Sequence, residues 1–375
     1  MPDFLTLKPE AFALDISDSS LKIAKLEKKG KSLQLVSFGR TEIPAGTVEG
    51  GEIKNEEVLA GVIQKAIGNV TGKKIATRYV VASLPEEKSF LQVIQLPRMK
   101  DEEELKQAIY FEAENYIPMP ADEVYIDFQI VPPVSNHLDH FDVLIVALPK
   151  KTVDPYILTF KKAGLKIKAL EIESSAITRA LVKNGVSPHP LLLIDLGENR
   201  TTFMIFSGYS LRFTNVLSIS TKQFSQAIAD ALQISFKEAE ELKLAYGLSE
   251  KYQIKIEDKA KKERSPGKIF EVLLPYLKDL AQQMRKYFDY YQTHISHEHL
   301  SPGGKVVEKI LLSGGGANLK GIAQFLSLEF KIPTEIANPW INIFQEPFSR
   351  VPELPFEKSL SFTTALGLAL RGIAD

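Results

Sequence analysis

One pattern occurs twice in this chain, and it limits the folds open to it more than any other feature. Residues 12–26, FALDISDSSLKIAKL, read as a buried strand ending at Asp15, a tight polar turn and a second strand. Residues 191–208, LLLIDLGENRTTFMIFSG, read the same way around Asp195. Setting Asp15 on Asp195, an offset of 180 positions, pairs Ile16 with Leu196, Ser17 with Gly197 and Lys22 with Thr202. A period that long is not a solenoid repeat. It predicts duplicated domains, each opening on the same strand–Asp–turn–strand unit. The chemistry of the second copy is suggestive: a carboxylate at a strand tip, a glycine that lets backbone N–H groups approach closely, then hydroxyls. That set suits a hydrated Mg²⁺ beside phosphates. Taken alone, each copy reads equally well as an ordinary structural turn.

Composition narrows the function classes. The 375 residues suffice for two or three domains, and 44% hydrophobic with 25% charged residues is ordinary for a globular protein. A net charge of −1, with basic residues spread rather than clustered with aromatics, argues against nucleic acid as a partner and against a polybasic membrane anchor. No cysteine is present, which excludes disulfides, thiolate metal sites and a cysteine nucleophile. The start MPDFLTLKPE lacks the regions of a signal peptide, and no apolar run approaches the ~20 residues that span a bilayer. A cytoplasmic location is expected.

The pattern between the two copies predicts a third strand at 32–44, a helix over 55–67, and strands at 78–85 and 90–97. Asp101 with Glu104 forms a capping box ahead of a helix that stops before Pro118. Strands follow at 124–131 and 141–149, so 79–149 reads as a compact inserted subdomain. A helix over 150–163, a strand at 165–172 and a helix from Glu173 to Gly185 lead into the second copy. Downstream, two helices lie within 222–247, a charged loop or hairpin over 251–268, and a long helix over 270–296 with an apolar core stripe. The stretch 332–355 reads as loop, and 359–373 as a final buried helix. The expected domains are a first-lobe core (1–78), the insert (79–149), a return to the first lobe (150–186), a second lobe (187–358) with a helical nucleotide-facing part (222–300), and a C-terminal connecting helix (359–375).

A further phosphate-type element is SGGGANLKG, 313–321, where Gly314, Gly315 and Gly316 join a buried strand to a helix. Such a turn folds tightly around a flat or anionic group and presents helix N–H donors. It is neither the dinucleotide fingerprint nor the P-loop. His294, His297 and His299 read as a solvated helix end rather than a metal site, and no Ser/His/Asp triad is legible. The helix at 101–117 reads either as a core helix with an acidic outer face or as the wall of a protein-binding groove.

In their order, FALDISDSSLKIAKL, LLLIDLGENRTTF and ILLSGGGANLKGI resemble the two phosphate loops and the adenosine loop of the actin-like ATPase superfamily. EIESSAITRAL and FTTALGLALRG resemble its connecting helices, and YFEAENYIPMP is similar to the insert of the PilM family of type IV pilus assembly proteins, relatives of the cell-division protein FtsA. The resemblance implies an α/β, actin-like (ribonuclease H-like) duplicated two-lobe fold, with a small α+β subdomain inserted in the first lobe, binding ATP and Mg²⁺. It places Asp15 and Asp195 at the water shell of Mg²⁺. Ser17, Ser19, Ser20, Lys22, Gly197, Thr201 and Thr202 would lie at the phosphates, and Gly314, Gly315 and Gly316 behind the adenosine. Glu240 and Lys243, in AEELK, would lie at adenine and ribose, and Glu173 where the attacking water is oriented.

Two departures stand out. Ser17 replaces a usual glycine, and SIST (218–221) lacks the Gly-Gly common at that turn, so binding with slow or absent hydrolysis is expected. The resemblance also implies a place at the inner face of the inner membrane, in a pilus or secretion machine that powers twitching motility or export. The implied partner is the N-terminal cytoplasmic tail of a PilN-like membrane protein, held as a segment in a groove, with PilO and the motor ATPases reached indirectly. Self-association is a further expectation. Competing readings are a small-molecule kinase on the same fold, for which only Glu173 offers a candidate carboxylate, and an FtsA-like division protein, which is expected to end in an amphipathic helix that is not seen after 373.

Overall fold

The computed structural model describes residues 9–30, 32–99, 101–133, 139–248, 266–294, 306–344 and 352–374. The charged segment 251–265, His297 and His299 lie outside them. The chain divides into two compact units, one made of Met1–Ser187, Gly208–Arg212 and Asn338–Asp375, the other of Pro188–Ser207 and Phe213–Ala337.

The first unit is built on a six-stranded sheet. Its strands are β1 (Ala11–Ile16), β2 (Ser20–Lys29), β3 (Ser32–Glu42), β6 (Thr71–Gly72), β7 (Tyr79–Leu84) and β11 (Lys166–Ile172), in the order β11-β7-β1-β2-β3-β6. A two-residue hairpin, β4 (Val48–Glu49) and β5 (Glu52–Ile53), stands apart from it. β1 runs antiparallel to β2 and parallel to β7, which is parallel to β11. β1 is buried along its whole length because both faces are covered. One face packs against α1 (Glu56–Gly68) and α3 (Lys150–Lys162) through Phe12, Leu14, Leu59, Ile63, Tyr156 and Phe160.

The other face is rich in small residues. Ala11, Ala13 and Ala24 there, with Ala176 from the helix Glu173–Leu181, receive Leu366, Leu368 and Ala369 of the C-terminal helix, together with Trp340 and Ile343. The stretch 332–355, read from sequence as loop of the second lobe, therefore contributes from Asn338 onward to the first unit. The cause is physical: Trp340, 3% exposed, fills the space left by alanines.

Between β7 and α3, the strands β8 (Phe90–Pro97), β9 (Val124–Val131) and β10 (His140–Pro149) form a separate antiparallel sheet ordered β8-β10-β9. It packs on α2 (Glu102–Tyr116) through Ile94, Leu105, Ile109, Ala113, Val143 and Ile145. Asp101 caps α2 through the N–H groups of Glu103 and Glu104. In the centre of the solvent face of α2, Phe111 is 73% exposed. α4 (Glu173–Leu181) follows β11.

The second unit repeats the strand order. β12 (Ser187–Leu196), β13 (Thr201–Gly208), β14 (Ser210–Leu217), β15 (Lys309–Ser313) and β16 (Thr334–Ile336) lie as β14-β13-β12-β15-β16, the counterpart of β3-β2-β1-β7-β11. β12 and β15 are parallel, as are β15 and β16. β16 falls where the sequence reads loop; three residues carry no periodicity, and the strand exists through its pairing to Ile310–Leu312. Helices α5 (Thr221–Leu232), α6 (Phe236–Tyr246), α7 (Pro266–His294) and α8 (Ile322–Phe330) complete this unit. Of the stripe expected on α7, Leu273, Leu277, Leu280, Met284 and Tyr291 are fully buried, as a core face should be, while Tyr287 and Phe288 are half-buried. The single final helix expected at 359–373 is broken into α9 (Phe356–Ser359), a tight turn and α10 (Thr363–Ala374).

Candidate functional site

In open α/β sheets, ligands bind beyond the carboxyl ends of parallel strands. Both predicted aspartates stand there. Asp15 ends β1 and is 4% exposed; Asp195 lies at the end of β12. Each accepts a hydrogen bond from a serine on the neighbouring parallel strand: Ser83 Oγ to Asp15 at 3.1 Å, Ser313 Oγ to Asp195 at 2.7 Å. The turns that follow also match. Ser17 N–H donates to the Ser20 carbonyl at 2.9 Å, and Gly197 N–H donates to the Arg200 carbonyl at 2.9 Å. One backbone contact thus recurs at the 180-residue offset.

The two turns differ in their side chains. A Cβ on Gly197 would lie 2.6 Å from the Arg200 carbonyl oxygen, so only glycine closes the second turn in this way. In the first turn the Ser17 hydroxyl joins the closure, donating to the Ser20 carbonyl at 2.8 Å. Lys22 Nζ stands 3.1 Å from Asp15 Oδ2, an ion pair for which Thr202 offers no counterpart. The Ser19 carbonyl accepts from Ile43 N–H. Asp18, passed over in the sequence, accepts from Gly50 and Gly51 N–H at 3.2 and 2.9 Å and fixes the β4–β5 hairpin. Tyr156 Oη donates to the Gly51 carbonyl from α3.

In the second unit, hydrogen bonds running through Thr221 and Ser225 join four of the predicted residues, Asp195, Gly197, Glu240 and Lys243. Thr221 donates from both N–H and Oγ1 to the Gly197 carbonyl. Thr201 Oγ1 donates to the Ile219 carbonyl at 2.7 Å, and Thr202 is buried beside it on β13. Ser220 caps α5 with Gln223 in a reciprocal capping box. That accounts for the residue standing where Gly-Gly was expected. Lys243 Nζ donates to the Thr221 carbonyl, Ser225 Oγ and Glu240 Oε1 at 3.1, 2.6 and 2.7 Å. The three glycines form the turn after β15. Gly314, at φ +79°, and Gly316 face their own chain: a Cβ on either would lie within 3 Å of Leu196. Gly315 begins the short turn Gly315–Asn318, exposed to solvent.

Glu173 opens α4 at the carboxyl end of β11, and Ser174 N–H beside it donates to the buried Glu86 carboxylate at 3.0 Å. Glu171, two residues earlier, is held by Arg179 and Arg371, the latter on α10. No cluster of three or more His, Asp or Glu able to hold a metal exists among the described residues. His294 stacks on Tyr290 instead, with ring centroids 4.5 Å apart. A single carboxylate oriented by a serine, with further contacts to the cation left to phosphate and water, fits the way Mg²⁺ is held beside nucleotides. Ser83, Ser313, Thr221 and Ser225 were missed from sequence. Ser83 and Ser313 did leave a signal: each is a small hydroxyl residue directly after a run of three apolar ones, Val80–Ala82 and Ile310–Leu312.

The family model for the type IV pilus assembly protein PilM matches residues 13–373. The chain belongs to the PilM family. A solved PilM–PilN type IV pilus biogenesis complex aligns at a TM-score of 0.76 and 26% identity, over 98% of this chain and 100% of that one. MreB5 of Spiroplasma citri, solved bound to AMPPNP, aligns at a TM-score of 0.58 and 14% identity, over 97% and 96%. Cell division protein FtsA of Enterococcus faecalis is 24% identical over 200 residues, 51% of this chain and 43% of FtsA, so the match spans under half of that relative. The fold of this PilM-family chain is the actin-like α/β fold, with the duplication visible in its strand orders. No helix among the described residues is long and apolar enough to cross a membrane.

Proposed function

We propose that this PilM-family chain is a nucleotide-binding scaffold of a type IV pilus or related secretion platform, engaging the N-terminal cytoplasmic tail of a PilN-like membrane protein at the inner face of the inner membrane. The observation that carries the nucleotide half is the hydrogen-bonded cluster of Asp195, Gly197, Thr221, Ser225, Glu240 and Lys243 beside the Gly314–Gly316 turn. Mg²⁺ bound there would neutralise phosphate charge. Asp195 would hold its water shell, with Asp15 the corresponding carboxylate of the first loop. Thr202, with Ser19, Ser20 and Lys22 of the first loop, is assigned to the phosphates, while Gly197 and Ser17 spend their N–H groups closing the turns that hold those residues. Gly315 and Glu240 flank the nucleoside. Glu173 is assigned to orient water, with slow turnover because Ser17 closes the first loop with its own hydroxyl. The partner half is supported by the similarity to the PilM–PilN complex. PilO and the motor ATPases would be reached through that partner.

Calorimetry tests both halves. ATP with Mg²⁺ should bind the purified chain, and Asp195→Ala should weaken it by about tenfold or more, as expected for losing a charged contact. Absence of binding at millimolar ATP would overturn the nucleotide reading. A peptide from the N-terminus of the PilN-like protein should bind the wild type and fail with a scrambled order of the same residues.

A further inference from the structure

We propose that Ser83 and Ser313 are a matched pair of positioning residues, each presetting a loop aspartate for a magnesium–nucleotide ligand; the inference rests on the nucleotide reading above. The aspartates are 180 positions apart, whereas the serines are 230 apart, so one alignment offset cannot pair both. The fold pairs them nonetheless. Ser313 on β15 pairs in register with Asp195 of β12, and Ser83 on β7 follows Ala82, the last residue paired with β1, as Asp15 follows its partner Leu14.

Both serines are buried, at 1% and 0% exposure, and each follows a run of three apolar residues, Val80–Ala82 and Ile310–Leu312, at or next to the end of its strand. A buried hydroxyl in such a run costs free energy unless it is satisfied. Ser83 Oγ accepts from Ile16 N–H at 3.2 Å, which directs its own proton onto Asp15 Oδ1. Ser313 Oγ donates to Asp195 Oδ1 at 2.7 Å, a short charge-assisted bond. One carboxylate oxygen is thereby pinned and the side-chain rotamer set before any ligand arrives. The two sites are not equal. Asp15 has Lys22 as a second anchor, while Thr202 holds the corresponding place near Asp195.

The test is calorimetry of the full chain with ATP, once in excess Mg²⁺ and once in EDTA, with melting of the nucleotide-free protein as the check on folding. Ser313→Ala should lower affinity in Mg²⁺ by about tenfold and shift it by less than about twofold in EDTA. Ser83→Ala should likewise lose affinity in Mg²⁺, and Ser313→Thr should keep the wild-type value. If Ser313→Ala does not fold, Ser313→Cys keeps the volume with a weak donor and makes the same comparison. An unchanged Mg²⁺ enhancement in Ser313→Ala overturns the proposal, as does an equal loss in Mg²⁺ and EDTA, which marks a structural role alone. Wild-type protein that binds no ATP overturns the nucleotide reading, and this inference with it.

Discussion

Lys243 has only three protons to donate, and Thr221, Ser225 and Glu240 take them all. With its side chain 7% exposed, it ties the start of α5 to α6 before any ligand is considered. A lysine in this position is first a staple, because a buried ammonium must be paired and hydrogen-bonded. Lys243→Met keeps the apolar stem and removes the donors, so it should destabilise the chain by about 1–3 kcal/mol in urea denaturation. Glu240, whose side chain is 43% exposed, should by contrast lose little stability on change to Gln. The motif A-E-x-x-K was readable in the sequence. The division of labour within it was not, because Ser225 and Thr221 reach Lys243 only after two helices have packed.

At the scale of elements, the β4–β5 hairpin shows how short pieces evade pattern reading. Two-residue strands have no period, and the hairpin is held by contacts from elsewhere: Asp18 on its turn, Tyr156 from α3, and Glu52 bridged to Lys54 and Lys88 at 2.7 and 2.9 Å. Hydrogen bonds from those two lysines hold the Glu52 carboxyl down at about 2, against an ordinary value of 4.5. Its contribution is present above about pH 4.5 and fades as the pH falls from there through 2. An NMR titration should put the Glu52 carboxyl midpoint near 2 at low salt; a midpoint at 4.5 would mean that the bridges do not persist in solution. Longer elements were legible. The α7 stripe and the Asp101 cap announce themselves by spacing, whereas β16 and the break before Thr363 depend on tertiary pairing and were not.

At the scale of the whole molecule, the duplication read from two aspartates extends to the full order of five strands, β3-β2-β1-β7-β11 against β14-β13-β12-β15-β16. Hidden from the sequence was the destination of the C-terminal stretch. Asn338–Asp375 belongs with the first unit, and the chain's one tryptophan, Trp340, is buried there. Trp340 emission should therefore be short in wavelength and report unfolding of the first unit. A chain cut after Ala337 should lose the protection of β1 and β7 in hydrogen exchange while β12 and β15 keep theirs. Equal protection in both sheets would show that the alanine-rich face needs no cover.

That arrangement also orders events during synthesis. The first unit begins with residue 11 of β1 but lacks Trp340 and α10 until residues 338–374 have left the ribosome. At roughly 5–20 residues per second, the 188 residues after Ser187 take on the order of ten to forty seconds to make. Throughout that interval the small-residue face of the N-terminal sheet stands uncovered in the nascent chain. The second unit, complete at Ala337, is available to fold sooner. In this protein the half that is translated first is the half that is finished last.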